Sequence, residues 1–266
     1  ATSKALWKIY LDSLKEYELL KKMNTCLDYS DLINLCLNTS TTSFPSSLLC
    51  IPLVIISFWD DLFKVPSIFR YLVQSFSTIL ILGSSPLKVL FNYSLINILI
   101  LFFLIIIITA CINFTNFMDG SDGLVAGCMF VIFLSINLKL NSANSLSILL
   151  GSLSTFLFWN FPPAQVFMGD VGSNFLGIFF VANLIQLDSS EILGLALISA
   201  PLFGDAFITL LRRFFSRQNV FKAHRQHIYQ RLYLGGASKR FVCLLYILQS
   251  SVIAYTYIRL NFVYEI

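Results

Sequence analysis

From Leu95 to Ile112 the chain reads LINILILFFLIIIITACI, eighteen residues without one charge. Eighteen helical residues rise roughly 27 Å, close to the hydrocarbon thickness of a bilayer. A small soluble domain cannot hide so long an apolar cylinder, so lipid is the expected solvent. The rest of the 266-residue chain agrees: 57% is hydrophobic and 12% charged, where soluble domains carry roughly 25% charged residues. With 15% aromatic residues, disorder is excluded as well.

Seven more apolar runs accompany this one, which starts at Val89. They are Phe44–Trp59, Ile68–Gly83, Leu124–Leu140, Leu146–Phe161, Asn174–Leu187, Ile192–Leu211 and Phe241–Leu260. The expected fold is therefore all-α, a polytopic membrane protein with about eight transmembrane helices over residues 44–266. Residues 1–43 are polar, carry both signs of charge and lack the apolar stretch of a secretory leader. No role is assigned to them. The six cysteines show no metal-ligand spacing and read as small buried hydrophobes.

Charge sets the expected orientation. Residues 212–240 hold six Arg and two Lys with no Asp or Glu, eight of the 18 basic residues in one loop. Such a loop belongs on the cytoplasmic side. Alternate crossings then bring four polar blocks to that same face: Asp60/Asp61, NFTNFMDGSDG, MGDVGS and the basic loop. The net charge of +4 reflects this topology and implies no nucleic-acid partner.

Acids at the ends of spans are costly to keep and point to function. Asn113, Asn116, Asp119 and Asp122 recur every third residue, and a partly unwound helix end is expected there, loosened by Gly120 and Gly123. Their oxygens are hard donors, suited to Mg²⁺ or Mn²⁺. In MGDVGS, Asp170 stands between two glycines ahead of an apolar helix for which Ser173 is the expected N-cap. The helix start can face an anion while Asp170 faces a cation. His224 and His227, flanked by Lys222, Arg225 and Arg231, lack partners for zinc and fit an anion better. Together these groups describe a site for a diphosphate at a membrane surface, and phosphoryl transfer needs chiefly positioning and charge stabilisation.

At these residues the chain resembles the polyprenyl-phosphate N-acetylhexosamine-1-phosphate transferase family, which includes the phospho-MurNAc-pentapeptide translocases. The stretch DDLFK resembles its acidic-pair motif, giving Asp60 and Asp61 as catalytic acids and Lys64 as a substrate contact. The stretch NFTNFMDGSDGLVAG is similar to its asparagine–aspartate motif, giving Asn116 as a metal-linked residue and Asn113, Asp119 and Asp122 as substrate contacts. The stretch VFMGDVGSNFLG matches the third motif, with Asp170 at the metal position and Phe167 near the nucleotide. The stretch AHRQHIYQRL resembles the histidine motif, giving His224, Arg225 and His227. Its wording is closer to the branch that starts O-antigen and related glycans than to the peptidoglycan branch.

What the resemblance implies is Mg²⁺-dependent transfer of an N-acetylhexosamine 1-phosphate, or a related sugar 1-phosphate, from a UDP-sugar to undecaprenyl phosphate. UMP is released and a cell-envelope glycan begun. It also implies a bacterial plasma-membrane location with the site on the cytoplasmic face, and it leaves a homodimer open. Asp60 and Asp61 could orient the lipid phosphate, take its residual proton or act as a covalent nucleophile. Alternative readings are an inactive or truncated member of the same family, an intramembrane prenyltransferase, which would want a further acid where Lys64 stands, and an ion-coupled carrier, which would hold its acids near mid-membrane.

Overall fold

The computed structural model describes residues 48–63, 65–91, 94–140, 145–187, 189–219 and 224–264. The polar segment 1–43 and Lys64 lie outside these residues. Among the described residues every regular element is a helix. In chain order they are α1 Ile51–Phe63, α2 Ser67–Ser84, α3 Leu95–Met118, α4 Leu124–Leu140 and α5 Ser145–Asn160. Then follow α6 Gly169–Leu184, α7 Ser189–Ile198, α8 Ala200–Phe215, α9 Ile228–Leu234 and α10 Lys239–Tyr264. Short 3₁₀ turns at Leu48–Cys50 and Pro86–Phe91 precede α1 and α3.

Among the described residues two helices are long and apolar enough to cross a membrane, α3 and the Lys239–Arg259 part of α10. A third joins them if α7 and α8 are counted as one bent span. Each of the eight apolar runs contains helix, but the expected count of eight spans rests on helices as short as the 13 residues of α1, roughly 20 Å in length.

Three boundaries differ from the sequence reading. The helix of the first run starts at Ile51 and extends to Phe63, so Asp60 and Asp61 belong to its last turn rather than following it. The seventh run is not one straight helix: it bends by 76° at Ser199, between α7 and α8. Pro201, in the first turn of α8, has no N–H to give to the preceding turn and crowds it, which breaks the ladder there. Ser199 closes the break by donating from its hydroxyl to Ala196 O at 2.6 Å. The helix of the sixth run starts at Gly169, so Ser173 is not its N-cap. Ser173 lies inside α6 and its hydroxyl donates back to Gly169 O at 3.0 Å.

The centre of the bundle is α6, buried from Val171 through Ala182. Phe175 stacks on Phe179, which packs on Phe133 of α4. Against α6 lies α3, which buries only Ile108, Ile112, Thr115 and Met118, while Phe102, Phe103, Ile106 and Ile107 face outward. That exposed apolar face suits lipid. Between helices in lipid the hydrophobic effect supplies little, so close packing and polar pairs must hold the contact. Gly177 supplies the first: a Cβ there would stand 2.9 Å from Ile112 Cα and from Thr115 Oγ1. Polar pairs supply the second. Asn174 of α6 donates to Ser57 of α1 at 2.9 Å, and Gln74 of α2 and Asn113 of α3 exchange amide bonds at 2.9 and 3.3 Å. Each such bond contributes about 0.6 kcal/mol. Their joint result is to bring the end of α1, the end of α3 and the start of α6 together.

Candidate active site

Asp170 stands in the first turn of α6, where the positive φ of Gly169 (66°) turns the chain into the helix. One turn below the Gly177 contact, Asn116 of α3 donates its amide to Asp170 Oδ1 at 2.9 Å and to Ser173 Oγ at 3.1 Å. From the other side comes Arg70 of α2. Its Nη1 donates to Asp60 Oδ2 at 2.7 Å and lies 3.7 Å from Asp170 Oδ2. The second oxygen of Asp60 accepts the Val65 N–H at 2.6 Å, so both oxygens of that carboxylate are engaged.

Asp119 follows the last residue of α3, where the helix unwinds through Gly123. Desolvation, then the charges of Asp170 and Asp61, hold its carboxyl well above the usual carboxylate range. Three acids from three elements thus share one electrostatic neighbourhood, which calls for positive charge. Among the described residues no three His, Cys, Asp or Glu side chains form a closed metal cage. Mg²⁺ does not require one, because it commonly takes one or two carboxylates and completes its shell with water and substrate phosphate. The donor set around Asp170 fits such an ion.

The remaining block residues brace the site. Asn113, one turn above Asn116, is occupied with Gln74 and with Thr109 O. Asp122 accepts from the Ala164 N–H at 3.3 Å and pairs with Lys239 at 3.2 Å, tying the α3–α4 turn to the α5–α6 loop and to the start of α10. Asn160 makes a similar link, accepting the Gly123 N–H at 2.9 Å and donating to Val166 O at 2.8 Å. Next to Val166, and three residues before Asp170, Phe167 is 73% exposed.

The histidine loop docks on this same end. The His227 ring lies 6.4 Å from Phe117 and 5.0 Å from His224, centre to centre. Tyr229 fills the space above Gly120, and Tyr233 bonds to Ser121. Asp205 of α8 holds the loop in place. It accepts from the N–H groups of Ile228 and Tyr229 at 2.7 and 3.0 Å, from Tyr246 Oη at 2.6 Å and from Thr209 Oγ1 at 3.2 Å. The Nδ1 of His227, itself only 3% exposed, is 3.5 Å away. Arg212 adds a bond to Gln226 O at 2.8 Å. Arg225 is exposed.

His224 departs from a simple cationic role. Burial, followed by the charges of Arg213, His227 and Arg212, pushes its pKa down from 6.5 to about 4. It is therefore neutral at pH 7. The sign of its effect on stability follows. Above pH 6.5 neither state binds the proton, whereas between pH 6.5 and about 4 only the unfolded chain does. Stability is lost as pH falls through that window. His224→Gln is expected to flatten the fall of the thermal midpoint between pH 7.5 and 5, and an unchanged slope would show that His224 does not carry it.

The motif residues within the described set are thus brought to one end of the bundle, with Asp122 and Asn113 as braces at its edges. Three contributors were not anticipated: Arg70, Asn160 and Asp205. Arg70 and Asp205 are lone charges inside apolar runs, which is itself a signal of function. Asn160 carries no such mark.

Comparison with known proteins agrees with the geometry. Residues 44–188 match the profile described as Glycosyl transferase family 4. A probable undecaprenyl-phosphate N-acetylglucosaminyl 1-phosphate transferase of Bacillus subtilis is 33% identical over 140 residues, covering 48% of this chain and 39% of its own length. A phospho-N-acetylmuramoyl-pentapeptide-transferase of Rubrobacter xylanophilus is 28% identical over 193 residues, 68% of this chain and 54% of its own. A decaprenyl-phosphate N-acetylglucosaminephosphotransferase of Mycobacterium leprae is 28% identical over 175 residues, 54% and 44% respectively. The chain spans about two fifths to one half of the length of these three relatives. With the profile covering more than half of its residues, the chain belongs to glycosyl transferase family 4.

Proposed function

We propose that the protein transfers a sugar 1-phosphate, an N-acetylhexosamine 1-phosphate in the first instance, from a UDP-sugar to undecaprenyl phosphate at the cytoplasmic face of a bacterial plasma membrane. One observation carries this reading: Asp60 and Arg70, Asn116 and Asp119, and Asp170 converge at one end of the helices, with the His227 loop docked beside them. The names of the relatives support the class of reaction. The wording of the histidine loop favours the glycan-initiating branch over the peptidoglycan branch.

In this reading an oxygen of the lipid phosphate forms a bond to the β-phosphorus of the donor. The bond from that phosphorus to the bridging oxygen breaks, UMP leaves, and the product is a lipid diphosphate sugar. An alkyl phosphate has its second pKa near about 6 and is largely a dianion at pH 7. Strong base catalysis is thus not required, and repulsion between two anions is the main obstacle. Arg70, Arg225 and His227 are assigned to oppose that repulsion, with Lys64 implied by its motif. Asp60 is anchored by the Val65 N–H and orients Arg70, and Asp60 and Asp61 together are assigned to orient the lipid phosphate and receive its residual proton. Asp119 and Phe167 are assigned to the nucleotide. A Mg²⁺ or Mn²⁺ ion held by Asp170 with Asn116 would supply charge neutralisation of the diphosphate.

The carrier alternative expects acids at mid-membrane, but Asp60, Asp119 and Asp170 all sit at helix ends. The test is to supply membranes bearing the chain with undecaprenyl phosphate, Mg²⁺ and a panel of UDP-sugars. UMP release that requires both lipid and one of the sugars is expected. None with any sugar, from a correctly inserted chain, rejects the proposal. Orientation is tested separately. In a background without the native cysteines, a Ser216→Cys thiol should be shielded from an impermeant reagent in intact cells and a Ser84→Cys thiol should react; both positions are exposed on the protein surface. The reverse pattern would put the site on the wrong face.

A further inference from the structure

Arg70 has a property that its pairing with Asp60 alone does not explain. A single nitrogen, Nη1, serves two acids from different helices, Asp60 Oδ2 at 2.7 Å and Asp170 Oδ2 at 3.7 Å. Asp170 Oδ1 is taken by Asn116, so Oδ2 is the oxygen left to ligate a cation, and it is the one that faces the guanidinium. Mg²⁺ and its relatives bind carboxylate oxygen at about 2.1 Å. An ion on Oδ2 would therefore lie within roughly 6 Å of the guanidinium, with both charges positive.

We infer that Arg70 is an internal counter-cation that holds the place of the divalent ion: it shares Asp60 and Asp170 while the ion is absent and withdraws toward Asp60 when the ion enters. Arg70 is partly exposed, with a side-chain accessibility of 36%, so it has room to move, whereas Asp60 is fixed by the Val65 N–H. The arrangement keeps acids from two helices together without a bound ion, at the cost of ion affinity. It also couples ion entry to delivery of a guanidinium whose freed donors can then take a phosphate oxygen.

This inference rests on the reading of Asp170 as the ion ligand, and the test separates the two. The purified chain in nanodiscs is titrated with Mn²⁺, and free Mn²⁺ is read by its electron paramagnetic resonance signal, with no substrate present. Arg70→Gln removes the competing charge and should tighten Mn²⁺ binding by about tenfold. Arg70→Lys keeps a charge and a partner for Asp60, but a single ammonium reaches both acids less well, so affinity should rise by about threefold. That variant also covers the case in which the glutamine variant fails to fold. Unchanged or weaker binding in the folded variants, with wild-type binding still abolished by Asp170→Asn, overturns the role of Arg70 and leaves the ion site standing. Wild-type binding that is insensitive to Asp170→Asn overturns both.

Discussion

Asp170→Asn is expected to abolish UMP release, by about 10³-fold or more, while the protein still inserts and melts as the wild type does. The size follows from the role: a group that places positive charge against the reacting phosphate acts mainly in the transition state, where one preorganised contact is worth about 10²–10³-fold, and loss of an ion adds to that. The lack of a stability effect follows from the surroundings. Asp170 is partly exposed, and asparagine retains an oxygen for the Asn116 amide. Mn²⁺ binding should be lost in parallel. Near-normal turnover of the variant at limiting Mg²⁺ would remove Asp170 from the site.

Asp205→Ala should be damaging for a different reason. The carboxylate accepts two backbone N–H groups at the start of α9 and the hydroxyls of Tyr246 and Thr209, all in a buried setting. Removing it strands those donors, at about 1–3 kcal/mol for each one left unsatisfied. A total loss of at least about 4 kcal/mol is expected, together with displacement of His227 and at least about a hundredfold fall in turnover. Asp205→Asn should not rescue. Both oxygens accept, so the amide nitrogen would face either the Ile228 or the Tyr229 N–H, donor against donor. Tyr246→Phe removes one donor and leaves no orphan on the carboxylate, so it should cost about 1 kcal/mol. Thermal unfolding in detergent and UMP release on the same samples check the series; wild-type values for both Asp205 variants would contradict the account.

These two residues mark the boundary of what the sequence makes legible. Asp170 announces itself, because an acid between two glycines at the head of an apolar run has few structural excuses. The clustering of Asn116, Asp119 and Asp170 follows from topology once the basic 212–240 loop fixes one face. Asp205 was harder to see: it lies within the Ile192–Leu211 run, which reads as one continuous span. Only the break at Ser199–Pro201 turns α8 so that Asp205 meets the start of α9. Arg70 was hidden in the same way, ten residues beyond Asp60 in an apolar stretch, since nothing local says which acid it will meet. Helix starts were misplaced where glycine masks them: Gly169 enters α6 with a positive φ, so the helix begins four residues before Ser173. The central position of α6 is a packing outcome. Its sequence is no more apolar than that of α3, but Gly177 permits an approach to Ile112 and Thr115 that a larger residue would prevent.

The central claim is that a phosphoryl group moves with its sugar, and the donor's β-phosphate reports on it directly. A UDP-sugar labelled with ³²P at the β position is incubated with undecaprenyl phosphate, Mg²⁺ and membranes bearing the chain, and the label is partitioned between butanol and water. Transfer of a sugar 1-phosphate predicts that the label enters the lipid phase, in proportion to unlabelled UMP released into the aqueous phase. Label that stays in water as UDP while sugar enters the lipid would show plain glycosyl transfer and contradict the account.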